Sequence, residues 1–213
     1  MIHLLYDGHV GVFVMVLIAL VMSLCLHEFG HALVAKLYGD NTAQRAGRLT
    51  LNPLVHIDPM GLLMVVFVGF GYARPVPTDP RNFTSRWADM MVSAAGPVMN
   101  LLLAIVTINI YVLGLHAGVE SFNDAGPRFF FLYLAQINLL LMVFNLIPLG
   151  ALDGHYILPY FLPGQMAAAY QYYNARYGNL LLLALVVLSI MGLPIFKHVL
   201  ALANAILPLI VFV

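Results

Sequence analysis

Charge is what this sequence has least of. Only 8% of its residues are Asp, Glu, Lys or Arg, against about a quarter in an ordinary globular domain, which excludes the usual water-facing surface and points to a bilayer. The few charges cancel to a formal net of zero and form no basic run, so nothing favours a nucleic-acid partner or strong attraction to anionic headgroups. Cysteine occurs once, as Cys25, which excludes an internal disulfide. There is no internal repeat, low-complexity tract or flexible linker, and 213 residues leave no room for a second, soluble domain. A single integral-membrane domain over residues 1–213 is expected. No Lys or Arg occurs in the first ten residues, and no small-residue cleavage site follows the apolar run Val10 to Leu26. That run reads as a retained span, not a cleavable export signal.

What the chain does have is apolar sequence, 62% of the total. A membrane helix needs roughly 20 apolar residues, and the runs predict about five, near residues 10–38, 90–115, 128–147, 178–193 and 196–213. The last two are short and read as a helical hairpin over about 178–213. Between the first two lies a polar, proline-rich region, Gly39 to Asp89, interrupted by Met60 to Tyr72. That stretch is too short and glycine-punctuated to cross, and it reads as a strand or re-entrant loop. The expected fold is an all-α polytopic membrane protein with a short β or re-entrant segment. Lys36, Arg45, Arg48, Arg74, Arg81, Arg86 and Arg176 fall on one side of this scheme, with only Arg128 and Lys197 on the other. The positive-inside rule then makes the first side cytoplasmic, with the N-terminus outside and the C-terminus inside. The compact chain suggests a prokaryotic plasma membrane.

The first chemical signal is His27-Glu28-Phe29-Gly30-His31. On an α-helix, positions i and i+4 lie nearly above one another, so both imidazoles can aim at one ion, while Glu28 reaches a water beside it. The plainer alternative is that the three residues hydrogen-bond to other helices in a polar core. Their position favours a site, because ionisable groups about 16 Å inside a membrane helix are costly unless they face a cavity or one another.

A catalytic zinc site generally takes three protein ligands and keeps a fourth position for water. Asp153 is the best candidate for the third. It follows the apolar run Phe129 to Ile147, in a segment where Pro148, Gly150 and Gly154 permit irregular backbone beside a cavity. From local sequence alone, an ordinary Asp-Gly turn explains it equally well. His56 and His155 are set aside as loop or orienting residues, and Cys25 as pointing off the His27 face.

The pattern HEFGH, followed in order by NPLVHIDPMG (52–61), AGPVMN (95–100) and NLIPLGALDG (145–154), resembles the site-2 protease family of intramembrane zinc metalloproteases. The resemblance covers about residues 10–160. It implies that Leu152-Asp153-Gly154 holds the third ligand and that the helices beginning near Asp89 and Arg128 complete a three-helix catalytic core with the first. The chain departs from relatives that carry a preceding helix or PDZ or CBS domains, which leaves regulation to its own loops, another membrane protein or a homo-oligomer. It also departs before LDG, where the family is richer in proline and this chain has Gly150-Ala151.

The implied chemistry is peptide hydrolysis within or near membrane-spanning segments, with one Zn2+ per chain on His27, His31 and Asp153 and Glu28 as catalytic base. Asn145 or Asn100, or equally a backbone NH near Gly150, is a candidate donor to the oxyanion or to substrate, and Asn145 is more readily explained as a helix-ending device. The expected partners are single-span membrane proteins, whose peptide bonds become accessible only when the helix unwinds. Met60 to Tyr72 would receive such a segment by strand addition if it formed an exposed edge. Two other classes fit less well: a catalytically silent binder of membrane helices, which has no need of Glu28, and a divalent-metal transporter, which would carry more acidic residues in its helices.

Overall fold

The computed structural model describes residues 1–69 and 71–213. Three long helices form the centre, α1 (Val10–Leu37), α3 (Ala88–His116) and α4 (Ala125–Asn145), and the shorter α2 (Pro59–Val68) lies between the first two in the chain. Helices α1, α3 and α4 pack on one another in all three pairings. They correspond to the first three predicted spans. Alanine and glycine line the seams: Ala19, Ala32, Ala35, Ala95, Ala104 and Ala135 are buried, as is Gly30. A Cβ on Gly30 would lie 2.9 Å from the Ala95 carbonyl oxygen. Small residues let membrane helices approach until backbone packing replaces the hydrophobic drive that lipid does not supply.

The outward faces are apolar as well. Val10, Val14, Ile18 and Met22 form an exposed stripe on α1, and Val98, Leu102, Val106 and Ile110 one on α3. Helices apolar on every side belong in a bilayer. Among the described residues, four helices are long and apolar enough to cross one: α1, α3, α4 and a fourth, α5, which runs over Gly164–Ile190.

That fourth helix begins well before the expected residue 178. Its first half, GQMAAAYQYY, is rich in helix-forming alanine but polar enough to escape a hydropathy reading. A π-helical turn, Asn174–Gly178, joins it to the apolar second half, Asn179–Ile190. Exposed Tyr172, Tyr173 and Tyr177 surround Arg176 there, the composition of a membrane–water boundary. The last helix, α6 (Ile195–Ile206), ends in a 3-10 turn, Leu207–Ile210. It docks on α4, where Ala203 and Ile210 join Ala104, Ile108, Tyr111, Ala135, Leu139 and Met142 in the apolar core. Asn109 fixes this end, donating to the Ile210 carbonyl (2.7 Å) and accepting from the Phe212 amide (2.8 Å).

Met60 to Tyr72 corrects the strand expectation. Phe70 lies outside the described residues, and most of the stretch is helix α2. Asp58 caps it by accepting from the Gly61 amide, Pro59 occupies its first turn, and Gly69 ends it at φ 83°. These are ordinary helix start and stop signals, and they outweigh the β-branched content. At ten residues the helix is about 15 Å long and does not cross a bilayer. Extended backbone in this region comes from the next segment, where Ile57 and Ala73 make an isolated antiparallel bridge and the Arg74 amide bonds the His56 carbonyl at 2.8 Å.

Candidate metal centre

His27 and His31 lie one turn apart on α1 and face the seam with α3. A hydrogen bond fixes each ring through Nδ1. The Asn100 Oδ1 lies 2.7 Å from His27 Nδ1, while the Asn100 Nδ2 donates to the Asn138 Oδ1 (2.8 Å) and to the Ser23 carbonyl (3.3 Å). With the amide committed as donor on that side, its oxygen must accept from His27, so Nδ1 carries the proton. The Val92 carbonyl, an acceptor alone, lies 2.7 Å from His31 Nδ1 and imposes the same tautomer. Both Nε2 atoms therefore present lone pairs.

Those lone pairs converge. The two Nε2 atoms are 3.0 Å apart, and Asp153 lies beside them, Oδ2 3.2 Å from His27 Nε2 and Oδ1 3.4 Å from His31 Nε2. The Asp153 Oδ2 is buried with no hydrogen-bond partner among the described residues. Three lone-pair-bearing atoms held together in an apolar bundle repel one another unless a cation lies between them. A proton relieves one pair at a time, whereas a divalent ion satisfies all three. Tetrahedral ligation at about 2.0–2.1 Å requires ligand atoms roughly 3.3–3.4 Å apart, close to the separations found. The donor set thus fits a zinc-type ion with one position left open.

Asp153 arrives by a fold of the chain that the local sequence left open. It precedes a single helical turn, Gly154–Ile157, yet its carboxylate makes no cap bond to that turn. It turns instead toward the histidines. Room for the two rings comes from Gly96, where a Cβ would lie 2.4 Å from His31 Nε2 and 2.6 Å from His27 Nε2.

Glu28, buried at 8% exposure, accepts at Oε2 from the Val76 amide, 3.0 Å away. No protein donor reaches Oε1 among the described residues. Val76 lies between Pro75 and Pro77, so this segment of three residues has one N–H and directs it to Glu28. Arg48 secures the same segment by donating from Nη2 to the Arg74 carbonyl. Burial pulls the Arg48 guanidinium below its ordinary pKa, and the facing Glu28 carboxylate opposes that shift.

The remaining sequence candidates sit elsewhere. Asn100 touches His27, but both its amide hydrogens are committed, which leaves it orienting a ring with no donor to spare. Asn145 donates to the Leu141 carbonyl of its own helix at 3.0 Å. His56 pairs through Nε2 with the Thr50 carbonyl, His155 lies 3.3 Å from the Tyr170 hydroxyl, and Cys25 donates to the Leu51 carbonyl. Sequence reasoning missed Ser23, Gly96, Asn138, Arg48 and Val76. A signal existed for Ser23 and Asn138, polar groups inside membrane helices, but neither shows its partner until the helices are packed.

The pattern that defines peptidase family M50 matches residues 15–116 and 112–189, which span the whole cluster and the helices that carry it. The chain belongs to peptidase family M50. This bears out the resemblance to site-2 proteases. Its relatives include proteins named "Putative zinc metalloprotease", among them YwhC of Bacillus subtilis, 45% identical over 151 residues and 68% of each chain, and Rip2 of Mycolicibacterium smegmatis, 36% identical over 156 residues. The Rip2 match covers 70% of this chain and 57% of that protein, and the Mycobacterium tuberculosis Rip2 is 35% identical over the same shares. No solved structure gives a significant match. M50 membership, the apolar helices and the His–His–Asp cluster make this chain a membrane metalloprotease.

Proposed function

We propose that the chain is a zinc endopeptidase that cleaves peptide bonds within or near the membrane-spanning segments of single-span proteins, with one zinc on His27, His31 and Asp153. The observation that carries this reading is the convergence of two tautomer-fixed imidazoles and an unpartnered carboxylate oxygen inside a helical bundle, one residue from Glu28. When bound, the ion activates water for attack at neutral pH and polarises the scissile carbonyl. Glu28 holds its carboxylate by Oε2 on the Val76 amide, takes the water's proton at Oε1 and passes it to the departing amine. Asn100 and Val92 keep the two rings in the ligating tautomer. A substrate helix must unwind to bring its peptide bond to this level.

The single domain, with its catalytic core over about 10–160, is assigned to a prokaryotic plasma membrane with the N-terminus outside. Six of the nine Lys and Arg residues lie between Lys36 and Arg86, which favours a cytoplasmic location for the end of α1 nearer the cluster. The test is cleavage of a panel of single-span substrates by purified protein in detergent, comparing wild type with Glu28→Gln and measuring bound zinc in both. The expected result is loss of about 10²–10⁴ in rate with zinc retained. Zinc bound with cleavage unaffected by Glu28→Gln would overturn the assignment of the base.

A further inference from the structure

The loop Leu146 to Asp153 must deliver one carboxylate to two imidazoles, yet it has little regular structure of its own. It is held from outside, by α5. The Tyr170 hydroxyl donates to the Pro148 carbonyl at 2.9 Å. One turn on, the Asn174 side chain pairs with both polar groups of Gly150, its Oδ1 accepting from the Gly150 amide (2.8 Å) and its Nδ2 donating to the Gly150 carbonyl (3.0 Å).

A carboxamide is the side chain that copies a peptide unit, offering one donor and one acceptor side by side. Asn174 is 8% exposed and Gly150 is buried, so water does not compete for these bonds. The backbone is shaped for the pairing on both sides. Gly150 has φ +62°, a conformation side chains disfavour. A Cβ on Gly178 would come within 2.2 Å of Asn174 Oδ1 and 2.9 Å of the Gly150 amide nitrogen. Asn174 and Gly178 are the two ends of the π-helical turn that interrupts α5, and such turns recur at functional sites. From Gly150 the restraint passes down the loop, where the Leu152 amide bonds the Leu149 carbonyl immediately before Asp153.

We propose that Asn174 is a positioning residue for the metal centre: by clamping Gly150 to α5 it sets the place of the Asp153 carboxylate. Helix α5 contributes no residue to the cluster, and its role is to hold the third ligand against the other two. This inference rests on Asp153 being that ligand.

The test is a double-mutant cycle on zinc affinity, measured for the full chain in detergent by competition with a chromogenic chelator. Asn174→Leu is expected to weaken zinc binding about 10–100-fold, the range for residues that orient a ligand. In the Asp153→Ala background the same substitution should change affinity by less than about twofold, because the coupling disappears with the ligand it acts through. Asn174→Asp keeps the acceptor and loses the donor, so it should fall between Leu and wild type; it carries the cycle if Asn174→Leu does not fold. Tyr170→Phe should weaken binding by only a few-fold. Wild-type affinity in the Asn174 variants, or an equal loss with and without Asp153, would overturn the proposal. Wild-type affinity in Asp153→Ala alone would instead overturn the ligand assignment on which it rests.

Discussion

The two ends of the α1–α3–α4 bundle solve the packing of membrane helices in opposite ways. At one end Ser23, Asn100 and Asn138 join the three helices through a closed set of hydrogen bonds that terminates on His27. At the other, Ile108 and Tyr111 of α3 lie in apolar packing, and the rings of Tyr111, Phe122 and Phe131 pack with centroids 5.1–5.8 Å apart. Buried polar groups in a bundle are costly unless fully paired. The set that reaches His27 serves orientation, whereas the apolar end supplies cohesion, with Asn109 tying the last turn of the chain to it.

Substitutions at the two ends should therefore separate metal binding from stability. The largest effect is expected at Gly96. Gly96→Ala introduces a methyl inside the van der Waals envelope of both imidazoles, so zinc binding and cleavage are both lost, as metal analysis of the purified variant will show. Asn100→Ala comes next. It frees the His27 ring to adopt the other tautomer and should weaken zinc affinity by about 10–100-fold, and it leaves the Asn138 amide short of a partner. Ile108→Ala at the apolar end should invert that pattern, costing about 2 kcal/mol or more of stability while zinc affinity stays within about twofold of wild type. Equal effects of Asn100→Ala and Ile108→Ala on zinc affinity would erase the distinction between the two ends.

The smallest effect lies outside the bundle, at Asp40. Burial alone pushes its carboxyl upward, but hydrogen bonds from Thr42, the Asp79 amide and Asn82 hold it at about 2. Its native pKa thus lies below the unfolded value of about 3.9, so its stabilisation is complete above about pH 4 and lost as pH falls toward 2. Asp40→Asn should flatten the pH dependence of the thermal midpoint across that window and leave it unchanged near pH 7 apart from a uniform offset.

Much of this was legible in the residues. Scarce charge and long apolar runs specify membrane helices without reference to any contact, because hydrocarbon imposes the helical answer locally. The spacing of His27 and His31 specifies two imidazoles on one face, since helix geometry is local too. Asp58-Pro59 and Gly69 carried the signals for α2, although the glycines and β-branched residues between them read more easily as a strand. The polar first half of α5 lay hidden because hydropathy does not register alanine-rich helix propensity.

Three things waited for the tertiary structure. The Asp153 carboxylate reaches the histidines only because an irregular loop folds back, and local sequence explains it equally well as a turn. The tautomers of His27 and His31 depend on α3, through Asn100 and the Val92 carbonyl, at separations of 73 and 61 residues. The clamp of Asn174 on Gly150 joins positions 24 apart through a π-turn that no motif announces. The sequence by itself determined the solvent, the three long central helices and the first two candidate ligands, all consequences of local composition and periodicity. Which third group completes the centre, and what holds it there, depends on long-range approach of backbone segments, and only the packed fold decides that.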